Sequence, residues 1–429
     1  MEIDIKNIKK SFFIGIGGIG ISALAKMMQT KGLEVSGVND EEGKTVDSLR
    51  EEGIKVILLD DFKNLPEADL YVYSDAWLYR GPEIIAEAKK TGKPVLSYFE
   101  ALGEVAKEYK VIAVAGTHGK TTTTAMLAEI MIDAGLDPAV VVGSFVKKFG
   151  SNFRAGKGEY LVVEADEYNR HFLNFHPYLS VITNIEADHL DYYKDLADVQ
   201  NAFDTFISQS AQVITEKEYK KYLEKATASG GAPQHAGVPK LLVPGEHNRM
   251  NAAAALAAAA ALGIPLESAQ KSLAGFSGTW RRLEKLGATT EGVIIYDDYA
   301  HHPTEIRASL AALRELYPPG QNRLFVLFQP HLYSRTKAFF DEFSKSFSGA
   351  DWLGILPVYF AREAPDESVS SRKLAELAAR TGLTAEGFDS FDEAEGAVKA
   401  LNLKDGDIFV TMGAGEAYKV AQKVFKIVQ

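Results

Sequence analysis

Residues 111–124 read Val-Ile-Ala-Val-Ala-Gly-Thr-His-Gly-Lys-Thr-Thr-Thr-Thr, an apolar run followed by a glycine-bracketed turn and the start of a helical pattern. The apolar run predicts a buried strand, and the pattern from Thr121 to about Ala134 predicts a helix. Backbone N–H groups in such a turn, together with the positive end of the helix, favour a bound oxyanion. Lys120 offers a full charge to the β- and γ-phosphates of a nucleotide, and the Thr121 hydroxyl offers a ligand to Mg²⁺. The stretch therefore predicts a phosphate-binding loop.

The glycine spacing of this loop departs from the usual one. The common eight-residue pattern needs glycine at position 114, where this chain has Val114. We interpret the loop as a tight variant anchored by Gly116. The alternative is a glycine-rich turn beside a solvated lysine, but the order of strand, turn, Gly-Lys-Thr and helix favours the phosphate loop.

Length and composition limit the class of protein. The chain has 429 residues, too many for one core, which predicts two or three domains. Its formal net charge of −11 argues against nucleic acid as the main partner, because binding a phosphate backbone needs basic surface. With no cysteine, it has no disulfide, thiolate nucleophile or cysteine metal site. The start has no signal-peptide layout and the longest apolar run, Ala252–Leu262, is too short to span a bilayer, so we expect a cytoplasmic protein without membrane insertion.

The first third of the chain carries another glycine turn. Residues 11–22 read Ser-Phe-Phe-Ile-Gly-Ile-Gly-Gly-Ile-Gly-Ile-Ser, which predicts a strand, a turn and a helix. Three of these glycines fit the dinucleotide fingerprint, namely Gly15, Gly17 and Gly20. Asp40 follows at a distance where an acid often meets a ribose, and either NAD or a nucleotide-sugar diphosphate would suit such a helix start. Strand and helix patterns alternate as far as Tyr109, which predicts a small doubly wound α/β domain.

An apolar run in the middle of the chain, Tyr160–Glu167, ends in a cluster of carboxylates. Acids at the carboxyl end of a strand beside a phosphate loop are typical of Mg²⁺ contacts, and Glu164 is the first candidate. For Asp166 and Glu167, capping of a following helix is an equally good interpretation.

A second run, Leu179–His189, repeats this design. Polar side chains again follow the predicted strand, namely Asn184, Asp188 and His189. We interpret His189 as a metal or phosphate ligand rather than a structural histidine, because its strand should neighbour the loop strand.

The segment from 209 to 251 divides into two parts. Residues 209–243 predict a short helix and then a loop without chemistry. His247, Asn248 and Asn251 then stand at the start of an alanine-rich helix. They could cap that helix or contact an adenine or ribose.

The last third predicts another sheet. A linker at residues 275–284 carries two arginines, and strands are predicted in the runs 293–298, 323–328, 352–356 and 408–412. Ligands bind at the carboxyl ends of strands in an open parallel sheet, where five candidates fall: Asp298, His301, His302, His331 and Arg335. We discount a zinc site, because no HExxH spacing or third ligand stands out. Arg335 would grip a carboxylate bidentately, and His301 would orient or deprotonate an amine.

Eight motifs, taken together, match one family. In chain order they are Gly15-x-Gly-Gly-x-Gly-x-Ser22, Gly116-Thr-His-Gly-Lys-Thr-Thr122, Glu164-Ala-Asp-Glu, Thr183-Asn-Ile-x-x-Asp-His189, His247-Asn-x-x-Asn251, Gly278-Thr-x-Arg-Arg282, Asp297-Asp-Tyr-x-His-His-Pro-Thr-Glu305 and Phe328-Gln-Pro-His-x-Tyr-Ser-Arg335. They span the chain in the family's order, and the sequence resembles the Mur ligases. The resemblance implies an α/β protein of three domains: a Rossmann-like UDP-sugar-binding domain over 1–109, a central phosphate-loop ATPase-like domain with a parallel sheet over 110–276, and a Rossmann-like amino-acid-binding domain over 277–429.

The resemblance also implies a reaction in peptidoglycan precursor synthesis, and it is strongest to the branch of the family that adds alanine. In that reaction ATP phosphorylates the lactyl carboxylate of UDP-N-acetylmuramate. The amine of L-alanine attacks the acyl phosphate, and phosphate leaves from a tetrahedral intermediate. The implied cofactors are ATP and Mg²⁺, and the implied partners are these small-molecule substrates.

Position by position, the resemblance assigns roles to residues. The ATP phosphates are held by Gly116, Thr117, His118, Gly119, Lys120, Thr121 and Thr122, and two Mg²⁺ ions are held by Thr121, Glu164 and His189. ATP is also contacted by Asn248, Asn251 and Asp298, and the amino acid lies near His301 and Arg335. The UDP diphosphate takes the turn formed by Gly15, Gly17, Gly18, Gly20 and Ser22. The catalytic set is Lys120, Glu164, His189, His301 and Arg335.

Three positions depart from the family pattern: Asn39 replaces a usual aspartate, Trp280 a usual glycine, and Leu332 a residue that is often arginine.

The nearest alternative function is that of the relative that recycles tripeptide, because Glu164-Ala-Asp-Glu-Tyr168 is also close to its sequence. An NAD-dependent oxidoreductase leaves Gly119-Lys120-Thr121 without a purpose. A non-catalytic nucleotide sensor would not need a complete Mg²⁺ and amino-acid set.

Overall fold

The computed structural model of the protein describes residues 5–190, 192–223, 237–360 and 363–428. Across these residues the chain forms three β-sheets with helices between their strands, which confirms the predicted α/β class. It divides into two compact units: Met1–Asp188, Tyr192–Leu241 and Met250–Phe276 form the first, and His189–Asp191, Leu242–Arg249 and Ser277–Gln429 form the second. The first two sheets belong to the first unit and the third sheet to the second.

The first sheet is parallel throughout, with strand order β3-β2-β1-β4-β5. Its strands are β1 (Lys10–Ile14), β2 (Glu34–Asn39), β3 (Lys55–Leu58), β4 (Leu70–Tyr73) and β5 (Val95–Ser97). Its helices are α1 (Ile19–Thr30), α2 (Lys44–Glu51), α3 (Trp77–Arg80), α4 (Pro82–Lys90) and α5 (Tyr98–Ala106). The strand order reverses at β1, so the glycine turn after β1 lies at the switch point where ligands bind in such sheets.

The second sheet has strand order β11-β10-β6-β9-β7-β8, and only the β7–β8 pair is antiparallel. Its strands are β6 (Lys110–Ala115), β7 (Ala139–Val146), β8 (Ser151–Arg154), β9 (Tyr160–Glu164), β10 (Leu179–Ile182) and β11 (Val213–Ile214). The helices that follow in sequence are α6 (Lys120–Asp133), α7 (Leu196–Ser208), α8 (Glu216–Tyr219), α9 (Glu246–Ala261) and α10 (Leu266–Ala274).

The phosphate-loop strand lies in the interior of the second sheet. β6 pairs with β10 on one side and β9 on the other, and its residues from Val111 to Ala115 are buried. Helix α6 is buried from Thr121 to Met131, a stretch that carries four threonines and Glu129 as well as apolar side chains. Burial of each Val or Ile side chain contributes about 1.5–3 kcal/mol to the free energy of folding. This strand and helix therefore form a rigid base for the loop between them.

The third sheet has strand order β16-β15-β14-β17-β13-β12-β18, with a parallel core and an antiparallel edge formed by β12 and β18. Its strands are β12 (Glu284–Thr289), β13 (Ile294–Asp298), β14 (Leu324–Phe328), β15 (Trp352–Ile355), β16 (Thr384–Gly387), β17 (Ile408–Met412) and β18 (Ile427–Val428). Its helices are α11 (Pro303–Leu316), α12 (Tyr333–Ala338), α13 (Phe340–Ser344), α14 (Ser371–Ala379), α15 (Phe391–Ala400) and α16 (Ala417–Val424).

The sequence patterns missed several peripheral strands. The strands β3, β8, β11, β12, β16 and β18 are short or polar, so their hydrophobic period is weak; β7 was also missed, although it is apolar and mostly buried. For 209–243, where a short helix and then a loop were predicted, the structure confirms the helix as α8 and adds the strand β11; residues 224–236 lie outside the described residues. Within the described part of the chain, the helices are too short or too polar to cross a bilayer.

Candidate functional site

The phosphate loop connects β6 to α6 through a tight turn whose backbone requires glycine. Gly116 has φ 138° and Gly119 has φ 84°, both in the region that L side chains avoid. A Cβ at Gly116 would collide with the Thr183 hydroxyl, and a Cβ at Gly119 would collide with the Asn251 side-chain oxygen. The loop therefore keeps its shape only with glycine at both positions, as the tight variant predicted.

The segment after β10 holds the loop in place. The Thr183 hydroxyl donates to the His118 carbonyl at 2.6 Å, and the Asn184 amide nitrogen donates to the same oxygen at 2.9 Å. In return, the His118 N–H donates to Asn184 Oδ1 at 2.9 Å and the Thr117 N–H donates to the Asn184 carbonyl at 3.0 Å. Asn184 was predicted only as a polar residue at the strand end, and its contacts show that it orders the phosphate loop.

Lys120 folds back over the loop. Its Nζ donates to the Gly116 carbonyl at 2.7 Å and the Thr117 carbonyl at 3.2 Å, and lies 2.8 and 3.1 Å from the two oxygens of Glu167. Burial lowers the pKa of Lys120, but nearby carboxylates, Glu167 foremost, raise it to about 12. The ammonium is therefore charged at neutral pH and stands above the carbonyls that shape the loop. The helix-capping interpretation of Glu167 missed this ion pair.

Thr121 and Glu164 come together, as predicted. The Thr121 hydroxyl donates to Glu164 Oε1 at 3.0 Å, and the Gly143 N–H donates to Oε2 of the same carboxylate at 2.8 Å. Glu164 ends β9 opposite Val114 of β6, so the sheet register itself brings the carboxylate to the loop. One hydroxyl and one carboxylate oxygen are the hard donors that Mg²⁺ prefers.

The start of α9 differs from the sequence interpretation. The helix begins at Glu246, so His247, Asn248 and Asn251 lie inside its first turns rather than at its cap. Asn251 is buried against Gly119 of the phosphate loop. Asn248 belongs to the second compact unit, where its amide donates to the Pro244 carbonyl at 2.7 Å. Of the two asparagines predicted to contact ATP, Asn251 is thus placed at the loop within the first unit.

The turn between β1 and α1 uses most of its own backbone donors. The N–H groups of Gly15 and Ile16 donate to the Val38 carbonyl at 2.8 and 3.0 Å, and the Gly18 N–H donates to the Gly15 carbonyl at 3.2 Å. The Gly17 N–H donates to Asn39 Oδ1 at 3.0 Å. These glycines shape the turn, and an anion here would meet the N–H groups of the first turn of α1, which have no partner inside the helix.

Asn39, which departs from the family's usual aspartate, is a structural part of this turn. Its amide accepts from Gly17 and also donates to the Glu41 carbonyl at 2.8 Å. For the UDP-sugar that the family resemblance implies, Asn39→Ala should raise the KM about 10-fold, because two hydrogen bonds of about 0.5–1.5 kcal/mol each are lost. Steady-state kinetics should show an unchanged KM for ATP. Asn39→Asp keeps an acceptor for the Gly17 N–H, so its KM for the UDP-sugar should rise less. An equal rise in KM for the two variants would contradict the structural role of Asn39 in the turn.

Ser22 was assigned to the substrate by resemblance, but it is buried among protein contacts. Its hydroxyl donates to the Ile19 carbonyl at 3.0 Å and accepts from the Asn152 amide at 2.8 Å. Asn152 belongs to β8, so Ser22 joins the first two sheets within the first unit. We assign Ser22 a structural role.

Within the second unit, His301, His331 and Arg335 form one group. The ring centroids of His301 and His331 are 6.0 Å apart, and Arg335 Nη1 lies 3.3 Å from His331 Nδ1. His301 Nδ1 lies 3.0 Å from the Tyr299 carbonyl and 3.3 Å from Glu305 Oε2, so it is the donor to these oxygens; when the ring is neutral, Nε2 is then its acceptor nitrogen. His302 instead caps α11, where its ring accepts from the Thr304 N–H.

Asp298 lies in the interior of the second unit. The Ser309 hydroxyl and the Leu283 N–H both donate to its carboxylate. Burial raises the pKa of Asp298 to about 6, against the lowering effect of these hydrogen bonds. The predicted ATP contact of this carboxylate stays a prediction. The same holds for the metal role of His189, which belongs to the second unit and has a left-handed backbone with φ 55°.

The segment at 275–284, predicted as a linker, contains an arginine that connects two parts of the second unit. The Arg281 guanidinium is buried and donates to Asp297 at 2.7 Å and to the carbonyls of Gly413 and Gly415 at 2.8 and 3.0 Å. It thus joins the end of β13 to the glycine turn after β17. The two adjacent arginines of this segment were noticed in the sequence, but the sequence did not indicate which residues Arg281 contacts.

The other two departures from the family pattern fall in the same unit. Leu332 is buried with φ 68°, and its N–H donates to the Tyr359 carbonyl at 2.9 Å. Trp280 is half-buried, and the guanidinium carbon of Arg281 lies 6.0 Å from its ring. The Leu332 side chain is buried and apolar, so it offers no charge to a carboxylate.

Family models and relatives match this arrangement along the chain. The models described as Mur ligase family catalytic domain, Mur ligase middle domain, and Mur ligase glutamate ligase domain match residues 11–110, 114–235 and 281–415. The UDP-N-acetylmuramate--L-alanine ligase of Clostridium acetobutylicum is 38% identical over 459 residues, covering 98% of this chain and 99% of that protein. The protein of the same name from Agathobacter rectalis is 39% identical and covers 99% of both chains.

A solved structure is similar to the whole chain as well. The crystal structure of UDP-N-acetylmuramate-alanine ligase from Thermotoga maritima has a TM-score of 0.79 and 26% identity, covering 97% of this chain and 98% of that one. The tight phosphate loop, the Thr121–Glu164 pair and the third sheet with its histidines and arginine are therefore found in a chain that is similar to these ligases from end to end. The chain belongs to the Mur ligase family.

Proposed function

We propose that the protein joins L-alanine to the lactyl carboxylate of UDP-N-acetylmuramate at the expense of ATP, through an acyl phosphate. The observation that carries the proposal is the charged Lys120 over a phosphate loop whose neighbour, Thr121, contacts the Glu164 carboxylate. The relatives that share this chain from end to end carry the name of that ligase. A dehydrogenase accounts for neither feature, and a nucleotide sensor would not need the group of His301, His331 and Arg335 in the second unit, to which we assign the amino acid.

The first chemical step brings two anions together. A carboxylate oxygen attacks the γ-phosphorus of ATP, the bond to the β-γ bridging oxygen breaks, and ADP leaves. The site residues therefore contribute mainly by holding the phosphate and offsetting charge. Lys120 is suited to this because its ammonium is fixed by two carbonyls and by Glu167 and remains charged at neutral pH.

The magnesium implied by the family fits the residues present. Thr121 Oγ1 and Glu164 Oε1 lie 3.0 Å apart, and both are oxygen donors. We assign these two residues to the ion, which when bound offsets the charge of the phosphates. The Gly143 N–H holds the second oxygen of Glu164, so the carboxylate is oriented before any ligand arrives.

The second step needs an amine and a site for the amino acid's own carboxylate. The amine nitrogen attacks the acyl carbon, loses a proton, and phosphate leaves with the carboxylate oxygen that attacked it. We assign carboxylate binding to Arg335, which is buried beside His331. We assign the amine to His301, whose Nε2 is the acceptor nitrogen that could orient it or take its proton.

The assay for this proposal measures phosphate released from ATP with each combination of substrates. We expect release only when UDP-N-acetylmuramate and L-alanine are both present, with UDP-N-acetylmuramoyl-L-alanine as the other product. Parallel assays with glycine, serine and the recycled tripeptide define the acceptor. Faster turnover with the tripeptide than with L-alanine would overturn the proposed specificity in favour of the recycling relative.

Removing the charge of Glu164 should change how the rate depends on magnesium. Glu164→Gln should lower kcat/KM for ATP about 100- to 1,000-fold, the usual loss for one fixed electrostatic contact. Because the neutral amide binds Mg²⁺ more weakly, raising the Mg²⁺ concentration should restore part of the rate. Glu159→Gln, an exposed change just before the same strand, is the matched control. A Glu164→Gln enzyme with wild-type Mg²⁺ dependence would contradict the assignment.

A further inference from the structure

His171 is a buried histidine that has no role in the proposed reaction as described above. It lies in the 3-10 turn Tyr168–Asn174, which follows the acidic segment after β9, and only 7% of its surface is exposed. Its ring stacks on Phe99 with centroids 3.9 Å apart and planes 14° apart, and meets the edge of Tyr168 at 6.0 Å. Its orientation is therefore fixed on both sides by packing.

Two carboxylates from different sheets face the His171 ring. Nε2 lies 2.7 Å from Asp75 Oδ2, and Nδ1 lies 3.9 Å from Asp166 Oδ2. Asp75 follows β4 of the first sheet, and Asp166 follows β9 of the second, both within the first unit. Burial lowers the pKa of His171, but Asp166 and Asp75 outweigh it and raise it to about 9. A charged imidazole thus joins the two sheets at neutral pH.

On its second-sheet side, this link leads to the phosphate loop. The Phe172 N–H donates to the Asp166 carbonyl at 2.8 Å, which closes the turn around His171. Glu167, the residue after Asp166, forms the ion pair with Lys120. The Tyr193 hydroxyl donates to the Glu167 carbonyl at 2.5 Å, so the backbone of the acidic segment is held as well. A displacement of Asp166 would therefore move the carboxylate that positions Lys120.

On its first-sheet side, the link leads to the glycine turn. The neighbour of Phe99, Tyr98, lies so close to Gly20 that a Cβ there would be 2.9 Å from the Tyr98 ring. Asp75 precedes Trp77 by two residues, and the Trp77 ring covers Gly15 so tightly that a Cβ would collide with it. The residues that hold His171 are thus attached to the turn proposed for the UDP diphosphate.

We propose that His171 is a positioning residue that sets the spacing between the diphosphate turn at Gly15–Gly20 and the phosphate loop at Lys120. This inference rests on the proposed function, because the substrate must reach from one to the other for its carboxylate to meet the γ-phosphate. A ring that is stacked on Phe99, paired with Asp75 at 2.7 Å and placed 3.9 Å from Asp166 fixes that distance before the substrates bind. His171 touches neither substrate in this role and acts through the segments it holds.

The test compares His171→Gln, Asp75→Asn and the double variant in full steady-state kinetics. We expect each single variant to raise the KM for UDP-N-acetylmuramate and lower kcat, reducing kcat/KM for that substrate about 10- to 100-fold, as a misplaced reacting group does. The KM for ATP should change less than about 2-fold, since the Gly116 and Thr117 carbonyls still hold Lys120 and Thr121 still contacts Glu164. The double variant should lose no more than either single one, because both break the same pair.

His176→Gln is the matched control, because His176 lies just beyond the same turn and is exposed. Wild-type kinetics for His171→Gln would overturn the positioning role, and so would a KM for ATP that rises as much as that for UDP-N-acetylmuramate. Additive losses in the double variant would contradict the Asp75 pairing. If the wild-type protein itself neither bound nor turned over UDP-N-acetylmuramate, the proposed function and this inference would both fail.

Discussion

Replacing Lys120 with alanine should lower kcat for phosphate release by about 1,000-fold, near the upper end of losses for a single charge-stabilising group. The ammonium is held by the carbonyls of Gly116 and Thr117 and by Glu167, so it needs no reorganisation when negative charge develops on the γ-phosphate. An alanine at this position leaves the loop backbone intact but removes its fixed positive charge. Phosphate release measured with saturating ATP, UDP-N-acetylmuramate and L-alanine gives the result.

Lys110 provides the control for this experiment. It begins the same strand, is exposed, and pairs with the exposed Glu159 at 2.9 Å. Lys110→Ala should keep near wild-type activity, because exposed ion pairs contribute little. Near wild-type activity of Lys120→Ala would remove the phosphate loop from the mechanism.

Replacing Arg281 with alanine should destabilise the second unit by about 3–5 kcal/mol, the usual cost of breaking a buried ion pair from one side. Arg281 and Asp297 are 6% and 2% exposed at their side chains, so the substitution leaves an uncompensated carboxylate in the interior. It also removes the donors to the Gly413 and Gly415 carbonyls. Unfolding in urea, followed for the wild type and the variant, measures the change in free energy.

Two further variants show whether the buried pair is the cause. Arg380→Ala removes an exposed arginine of the same sheet domain and should change the free energy of unfolding by less than about 0.5 kcal/mol. Arg281→Met combined with Asp297→Leu removes both charges and should recover a large part of the loss, since no lone charge remains buried. If Arg281→Ala unfolded within about 1 kcal/mol of the wild type, the anchoring role would be wrong.

The phosphate-loop region could be predicted in detail from sequence because its signals are local. The strand β6, the glycine turn and the helix α6 lie in one continuous stretch, and each has a distinct hydrophobic or glycine pattern. The position of Glu164 beside the loop could also be predicted, because parallel strands bring their carboxyl ends to one edge of a sheet. Its contact with Thr121 confirms that geometric expectation.

The contacts that sequence reasoning missed depend on pairs of residues far apart in the chain. Glu167 could cap a helix or bind a lysine, and only the fold shows that Lys120 is its partner. Arg281 meets carbonyls more than 130 residues away, as its contacts with Gly413 and Gly415 show. His171 and Asp75 belong to different sheets, and no local pattern relates them. Such pairs carry no periodic signal, so composition and spacing leave them undetermined.

The turn at Gly15 shows a different limit. Its glycine spacing predicted a diphosphate site, but spacing does not reveal which N–H groups the protein uses for itself. The side chain of Asn39 takes the Gly17 donor, and Val38 takes those of Gly15 and Ile16. The donors left for an anion are those of the first turn of α1, which contains Gly20 but not Gly15 or Gly17 of the predicted glycines.

The central claim is that the carboxylate of UDP-N-acetylmuramate attacks the γ-phosphorus of ATP held at Lys120. Its most direct test uses UDP-N-acetylmuramate in which both oxygens of the lactyl carboxylate are ¹⁸O, turned over with ATP and L-alanine, followed by mass analysis of the phosphate released. The acyl phosphate route predicts one ¹⁸O atom in each released phosphate, because the attacking oxygen leaves with phosphorus. Unlabelled phosphate, or AMP and pyrophosphate in place of ADP and phosphate, would contradict the claim.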